Sequence, residues 1–167
     1  MMWPSIALLA FVTLQRLGEL VLARRNTAAL LARGVKEVAP EHYPVMVALH
    51  ASWIIGLWLT APGRPVALFW FLVFMGLQVL RLWVLATLKD RWTTRIIVLP
   101  GASLVRSGPY RFLRHPNYAI VIGEIAALPL AFGLPFYAIV FSLLNALILY
   151  VRVKAENAAL KSAMILK

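Results

Sequence analysis

Apolar residues run through this chain in blocks too long for a soluble core, and the few polar residues inside those blocks stand out. A helix needs about 20 mostly apolar residues to cross a bilayer. Residues 3–23 form the first such block, with Gln15, Arg16 and Glu19 late in it. Residues 43–61 form the second. Residues 66–88 form the third, with Gln78 and Arg81 inside it. Residues 117–151 are a run of 35 with a single charge, Glu124, which is too long for one span. Pro129, Gly133 and Pro135 break that run near its middle, so it predicts two helices joined by a tight turn. The pattern therefore predicts an all-α integral membrane bundle of about five transmembrane helices, the last two forming a tight helical hairpin. The 167 residues are expected to form one domain, without internal repeats or low-complexity segments.

Composition supports the membrane reading. The chain is 62% hydrophobic and 14% charged, against about 25% charged in soluble domains, and its mean hydropathy is +0.83. A net charge of +11 in a soluble protein would suggest nucleic acid. Here the cations sit in loops beside apolar spans, so membrane lipids are the expected partners and nucleic acid is not. With no cysteine, the chain has no disulfide framework and no thiolate metal site. The first apolar block lacks a basic leader and an A-x-A cleavage site, so it is expected to be a membrane helix and not a signal peptide.

The loop charges set an expected orientation. Residues 24–42 carry Arg24, Arg25, Arg33 and Lys36. Residues 89–116 carry Lys89, Arg91, Arg95, Arg106, Arg111 and Arg114, and the tail carries Arg152, Lys154, Lys161 and Lys167. The opposite side carries Arg64 alone, in the 62–65 turn. By the positive-inside rule the N-terminus lies outside, and the basic loops and C-terminus lie in the cytoplasm of a bacterial inner membrane.

Several candidate chemical groups fall on that cytoplasmic face. The run 108–118, G-P-Y-R-F-L-R-H-P-N-Y, packs three arginine or histidine cations, two tyrosines and two prolines at the foot of an apolar helix. Pro116 disfavours helix at His115, so a helix can start at about Pro116 and leave Arg114 and His115 outside it, aimed at a ligand or anchored at the interface. Arg152 and Glu156 are four apart and share a helix face, which suits a surface salt bridge or a paired reaction centre. Arg16 and Glu19, three apart, are charges inside a span; such charges snorkel, pair or mark function. Glu124 lies about two turns above His115 and must be neutralised, paired or solvated, with Arg81 as its expected partner. Asn145 is expected to be interhelical glue. His42 and His50, eight apart with Glu41 alongside, are expected at an active-site edge; further metal ligands are lacking, so no metal site is expected. Trp53, Trp58, Trp70, Trp83 and Trp92 fit an aromatic belt.

Together the 108–118 motif, Glu124, the P-L-A-F-G-L-P hairpin at 129–135 and R-V-K-A-E at 152–156 resemble the isoprenylcysteine carboxyl methyltransferase family. The resemblance covers roughly residues 66–160. The front part, with R-L-G-E-L at 16–20, R-R-N at 24–26, E-H-Y-P at 41–44 and His50, looks like a smaller bacterial branch. Some members of that branch methylate hydroxyls of long-chain alkylpyrones or alkylresorcinols. The resemblance implies S-adenosylmethionine as methyl donor and a lipophilic acceptor taken from the bilayer. It implies that Arg114, His115, Pro116, Tyr118 and Glu124 help form the donor pocket. It also implies that the 96–106 stretch, with Leu99 and Leu104, closes over that pocket. Arg152 and Glu156 match the family's C-terminal pair at the reaction centre, and His42, His50, Arg16 and Glu19 are implied on the acceptor side.

Where eukaryotic members usually carry two adjacent acids, Glu156 is followed here by Asn157. That departure and the short tail argue against a prenylated protein as acceptor. A carboxylate acceptor needs only Arg152 to position it. A phenol or enol also needs a base, for which Glu156, His42 and His50 are the candidates. Two other readings compete: an NADPH-dependent membrane reductase of the sterol-reductase type, and a non-enzymatic small membrane protein. Five spans leave little room for a second phosphate-rich pocket, and no inverted repeat marks a transporter.

Overall fold

Five α-helices carry the fold in the computed structural model, which describes residues 3–35, 37–98 and 105–165, with 160 and 162–165 described by backbone alone. They are α1 (Trp3–Leu31), α2 (Tyr43–Thr60), α3 (Leu68–Leu88), α4 (Pro116–Ala131) and α5 (Pro135–Ile165). Short 3-10 turns cover Pro40–His42, Lys89–Arg91 and Gly108–Arg111. The all-helical bundle is the architecture the hydropathy pattern predicts. Four helices, α1, α2, α3 and α5, are long and apolar enough to cross a membrane. The fifth is shorter than expected: α4 has 16 residues, about 24 Å of helix against a hydrocarbon core of about 30 Å. By contrast α5 has 31 residues, about 46 Å, and must project beyond the bilayer.

The α4–α5 turn explains where α4 stops. Leu134 N–H bonds the Pro129 carbonyl at 3.0 Å, and Gly133 N–H bonds the Leu130 carbonyl at 3.0 Å. Gly133 sits at φ +66°, the left-handed position of this helix stop, which favours glycine. Pro135 then opens α5.

The buried face of each helix is banded. In α1 the buried positions run Leu8, Leu9 and Val12, then Glu19, then Ala23, Asn26 and Thr27. In α3 they run Phe74, then Gln78 and Arg81, then Val84. In α4, running the opposite way, they are Ile120, then Glu124, then Ile125, Ala127 and Leu128. These spacings of three and four keep each set on one helix face. Stacked in register, they form three layers. Leu9, Val12, Trp53, Leu57, Phe74, Leu128 and Phe132 belong to one apolar layer. Ala23, Val84, Trp92 and Ile120 form a second, toward the basic loops. Between them lies a polar layer. Trp53 and Trp92 are thus 1% and 2% exposed, in the apolar layers and not in the aromatic belt expected for them.

The polar layer is a closed ionic network. Arg81 Nε and Nη2 each lie 2.5 Å from the Glu19 carboxylate, and Arg81 Nη1 lies 3.0 Å from Glu124. Arg16 reaches Glu124 at 2.7 Å and Glu19 at 3.0 Å. Gln78 donates to Glu124 at 2.7 Å, and Gln15 donates to Gln78 at 2.6 Å and to Glu19 at 3.1 Å. Two cations and two anions balance, and three helices contribute. Arg16 and Glu19 therefore do not merely snorkel, and Glu124 has its expected partner in Arg81.

Near the basic loops Asn26 Nδ2 donates to the carbonyls of Lys89, at 3.0 Å, and Trp92, at 2.9 Å. This ties α1 to the end of α3. The 92–98 segment is held in turn by the Val38 N–H bond to the Ile96 carbonyl at 2.9 Å.

Breaking one partner of a buried ion pair leaves an uncompensated charge and costs about 3–5 kcal/mol. Glu124→Leu should therefore lower the thermal midpoint in detergent markedly. The double variant Glu124→Leu, Arg81→Leu should lose less than the sum of the two single variants. Additive losses would contradict a coupled network.

Candidate functional site

The loop before α4 is shaped by its glycine and prolines. Gly108 has φ +55°, and a Cβ there would run into Thr87 and Trp83 at the end of α3, so glycine alone fits. Pro109 is buried and starts the 3-10 turn that places Tyr110 against the Ala23–Val84–Trp92–Ile120 layer. Burial, with the Glu156 charge adding to it, pushes the Tyr110 phenol up to about 12, so it is neutral at any physiological pH. His115 has φ −129° and ψ 64°, outside the helix, and Pro116 is the first residue of α4, as the motif predicts. Arg114 is exposed just before it.

One turn into α4, Tyr118 meets α5. Arg152 Nε donates to Tyr118 Oη at 2.8 Å, and Tyr118 Oη donates to the Glu156 carboxylate. Arg152 and Glu156 are thus joined through a phenol, and not by the direct salt bridge their spacing suggests. The His115 ring stacks on Tyr118 with centroids 5.2 Å apart and planes 22° apart. Its Nδ1 lies 3.7 Å from Glu156 Oε1, and its Nε2 lies 3.3 Å from Asn157 Oδ1. Arg152 is 6% exposed, and its Nη1 lies 3.0 Å from Met46 Sδ, which brings in α2. A guanidinium, a phenol, a carboxylate and an imidazole therefore converge where α4 begins and α5 leaves the bundle. Such a group can hold an anionic or polar ligand and orient it.

The remaining expected residues are distributed around this centre. Glu124 lies six residues beyond Tyr118 on α4, about 9 Å deeper, and its carboxylate is taken up by Arg16, Arg81 and Gln78. Arg16 and Glu19 lie in that same network. His50, on α2, places Nδ1 2.8 Å from the Met46 carbonyl and feels the charges of Arg16, Arg81 and Glu124. His42 ends the 3-10 turn ahead of α2, so the eight-residue spacing does not run along one helix face. Its Nε2 is buried and has no partner among the described residues, as is Asn117 Oδ1. Leu99 and Leu104 lie outside the described residues. Asn145 is 1% exposed, and its Oδ1 has no partner among the described residues, so no interhelical bond by that oxygen is found.

Sequence reasoning missed four participants. Asn157 entered only as a departure from an acidic pair, yet it faces His115. Met46 carried no chemical signal and is recognisable only once α2 is laid against α5. Gln15 and Gln78 were visible as polar residues in spans, but their joint role in the ionic layer was not.

Comparisons with known proteins bear on this arrangement. The profile of the isoprenylcysteine carboxyl methyltransferase (ICMT) family matches residues 68–162, from the start of α3 into the last turns of α5. The chain is 36% identical to the uncharacterized protein YpbQ of Bacillus subtilis over 168 residues, covering 96% of this chain and 97% of that protein. It is 28% identical to an uncharacterized protein of Haemophilus influenzae over 152 residues, covering 87% and 88% of the two chains. No solved structure matches. With the family profile spanning Gln78, Arg81 and Glu124 of the ionic layer and the whole Arg152–Tyr118–Glu156 centre, this chain belongs to the isoprenylcysteine carboxyl methyltransferase family, a family of membrane methyltransferases.

Proposed function

We propose that the protein is an S-adenosylmethionine-dependent O-methyltransferase that acts on a lipophilic acceptor from the bilayer. The observation that carries this reading is the Arg152–Tyr118–Glu156 relay, stacked on His115 at the end of a membrane bundle. The front-part motifs favour a long-chain phenol or pyrone hydroxyl as acceptor, like that of the alkylpyrone-methylating branch, over a prenylated protein. The orientation that agrees with the loop charges puts this centre on the cytoplasmic side of a bacterial inner membrane, where a water-soluble donor is available.

The residues suit the donor. Asn117 Oδ1 is buried without a partner among the described residues, beside His115, and an ammonium group answers it. The exposed guanidiniums of Arg111 and Arg114 suit a carboxylate. Glu156 supplies a negative charge for a sulfonium. When bound, the donor supplies an electrophilic methyl group on sulfur.

The chain's own part is alignment and exclusion of water. Orientation of this kind supplies roughly 7–11 kcal/mol of a barrier. Tyr118 Oη fixes the Arg152 guanidinium by accepting from Nε, and Glu156 fixes Tyr118 in turn. Arg152 then presents its remaining N–H groups to the acceptor oxygen. The apolar helices keep water from that oxygen and let an acyl tail remain in the bilayer.

Two variants test the reading in the detergent-purified full chain. Arg152→Ala should cut methyl transfer to long-chain phenols at least about 100-fold, the scale of losing one preorganised donor. S-adenosylhomocysteine affinity should change less than about threefold in that variant. Joint loss of binding and turnover would assign Arg152 to donor anchoring or folding instead. Tyr118→Phe should lower kcat about tenfold by freeing Arg152; an unchanged kcat would remove the relay from the mechanism.

A further inference from the structure

His50 is held in a state suited to proton transfer. Its Nδ1 lies 2.8 Å from the Met46 carbonyl oxygen. A carbonyl only accepts, so Nδ1 carries the hydrogen, and the neutral ring leaves its lone pair on Nε2. No hydrogen bond to Nε2 is found among the described residues. The same Met46 touches Arg152 through its sulfur at 3.0 Å. One residue of α2 therefore links the imidazole to the guanidinium of the candidate site, with His50 one helical turn deeper in the bilayer.

We propose that His50 is the base of the reaction, taking the proton of the acceptor's phenol or enol hydroxyl. The proposal rests on the methyl-transfer reading above. A carboxylate arrives ionised and has no proton to lose, so a carboxyl methyltransferase has no use for an imidazole here. A phenol, with a pKa of about 10, does. Glu156 is the weaker candidate: a carboxylate is a poorer base than imidazole, and this one already accepts from Tyr118 and faces His115.

The acceptor's O–H proton passes to His50 Nε2 as the oxygen lone pair forms the new bond to the methyl carbon. The electron pair of the broken carbon–sulfur bond stays on sulfur, which leaves as a neutral thioether. The imidazolium returns its proton to water when product departs. The charged groups that act on the ring electrostatically are Arg16 from α1, Arg81 from α3 and Glu124 from α4.

The test uses the detergent-purified full chain and two long-chain alkylphenols, one unsubstituted and one nitrated to lower its pKa. Without any methyl donor, the nitrophenol is bound at a pH below its own pKa. Its absorbance should shift to the phenolate band on the wild-type protein and stay with the phenol band on His50→Gln. In turnover, His50→Gln should lose at least about 100-fold on the unsubstituted phenol, the scale of general-base catalysis, and less than threefold on the ionised nitrophenol. Calorimetric binding of S-adenosylhomocysteine, unchanged in the variant, shows that the fold and donor pocket survive. Should His50→Gln fail to fold, the wild-type absorbance shift and His50→Asn decide. Equal losses on both phenols, or no phenolate band on the wild type, overturn His50 as base and leave methyl transfer standing. A folded wild type that neither binds S-adenosylhomocysteine nor methylates any acceptor overturns the methyl-transfer reading, and this proposal with it.

Discussion

The structure depends on four charges in a layer where charge is expensive. Arg16, Glu19, Arg81 and Glu124 come from three helices and neutralise one another in the middle of the bundle. In hydrocarbon an isolated ion of either sign is strongly disfavoured. Arg81 on α3 and Glu124 on α4 are lone charges their helices cannot place alone, and the Arg16–Glu19 pair of α1 reaches both only when α1, α3 and α4 meet in one register. Apolar packing alone would be a weak guide here, because lipid tails are as apolar as leucine. The bidentate fork of Arg81 on Glu19 adds direction, since guanidinium and carboxylate match in only a few orientations. Sliding α4 by one turn would take Glu124 away from Arg16, Arg81 and Gln78.

This register places the chemistry. Glu124 fixes the height of α4, and at that helix's other end the first turn carries Pro116 and Tyr118, with His115 just ahead of it. The Gly133 turn joins α4 to α5 with no slack, so the height of α5, and with it Arg152 and Glu156, follows from the height of α4. The charged centre is then assembled from residues 34 to 42 apart in sequence, Tyr118 to Arg152 and His115 to Asn157. It sits where α5 outruns the bilayer, so a polar ligand can approach from water while an apolar one approaches from lipid. α2 closes the arrangement through Met46 and brings His50 beside it.

Much of the fold could be read from the chain because membrane helices declare themselves by length and hydropathy. The hairpin at 129–135 was legible because Pro129, Gly133 and Pro135 leave a helix nowhere to continue, and the helix start at Pro116 because proline fixes both itself and its neighbour. Hydropathy counts α4 as a full span, since it registers the apolar run through residues 117–151 and not the position of the Schellman stop. The Arg81–Glu124 pair was legible because two lone charges in apolar helices have few other choices. That Arg16 and Glu19 complete the same network was not, since their spacing of three suits a local pair equally well. Trp53 and Trp92 are misassigned because composition alone suits any tryptophan to an interface, and only packing decides whether it faces in. At the candidate site the motif residues were visible, whereas the Tyr118 bridge and the roles of Asn157 and Met46 required the helices to be laid side by side.

The central claim is that a methyl-transfer centre is built where the ionic layer sets α4 against α5. The most direct measurement is a calorimetric titration of the folded, detergent-purified chain with S-adenosylhomocysteine, with NADPH titrated in parallel. The account predicts one micromolar site per chain for S-adenosylhomocysteine, weakened at least about tenfold by His115→Ala, a change of about 1.4 kcal/mol, and no competition by NADPH. Saturable binding of NADPH with none of S-adenosylhomocysteine would contradict it.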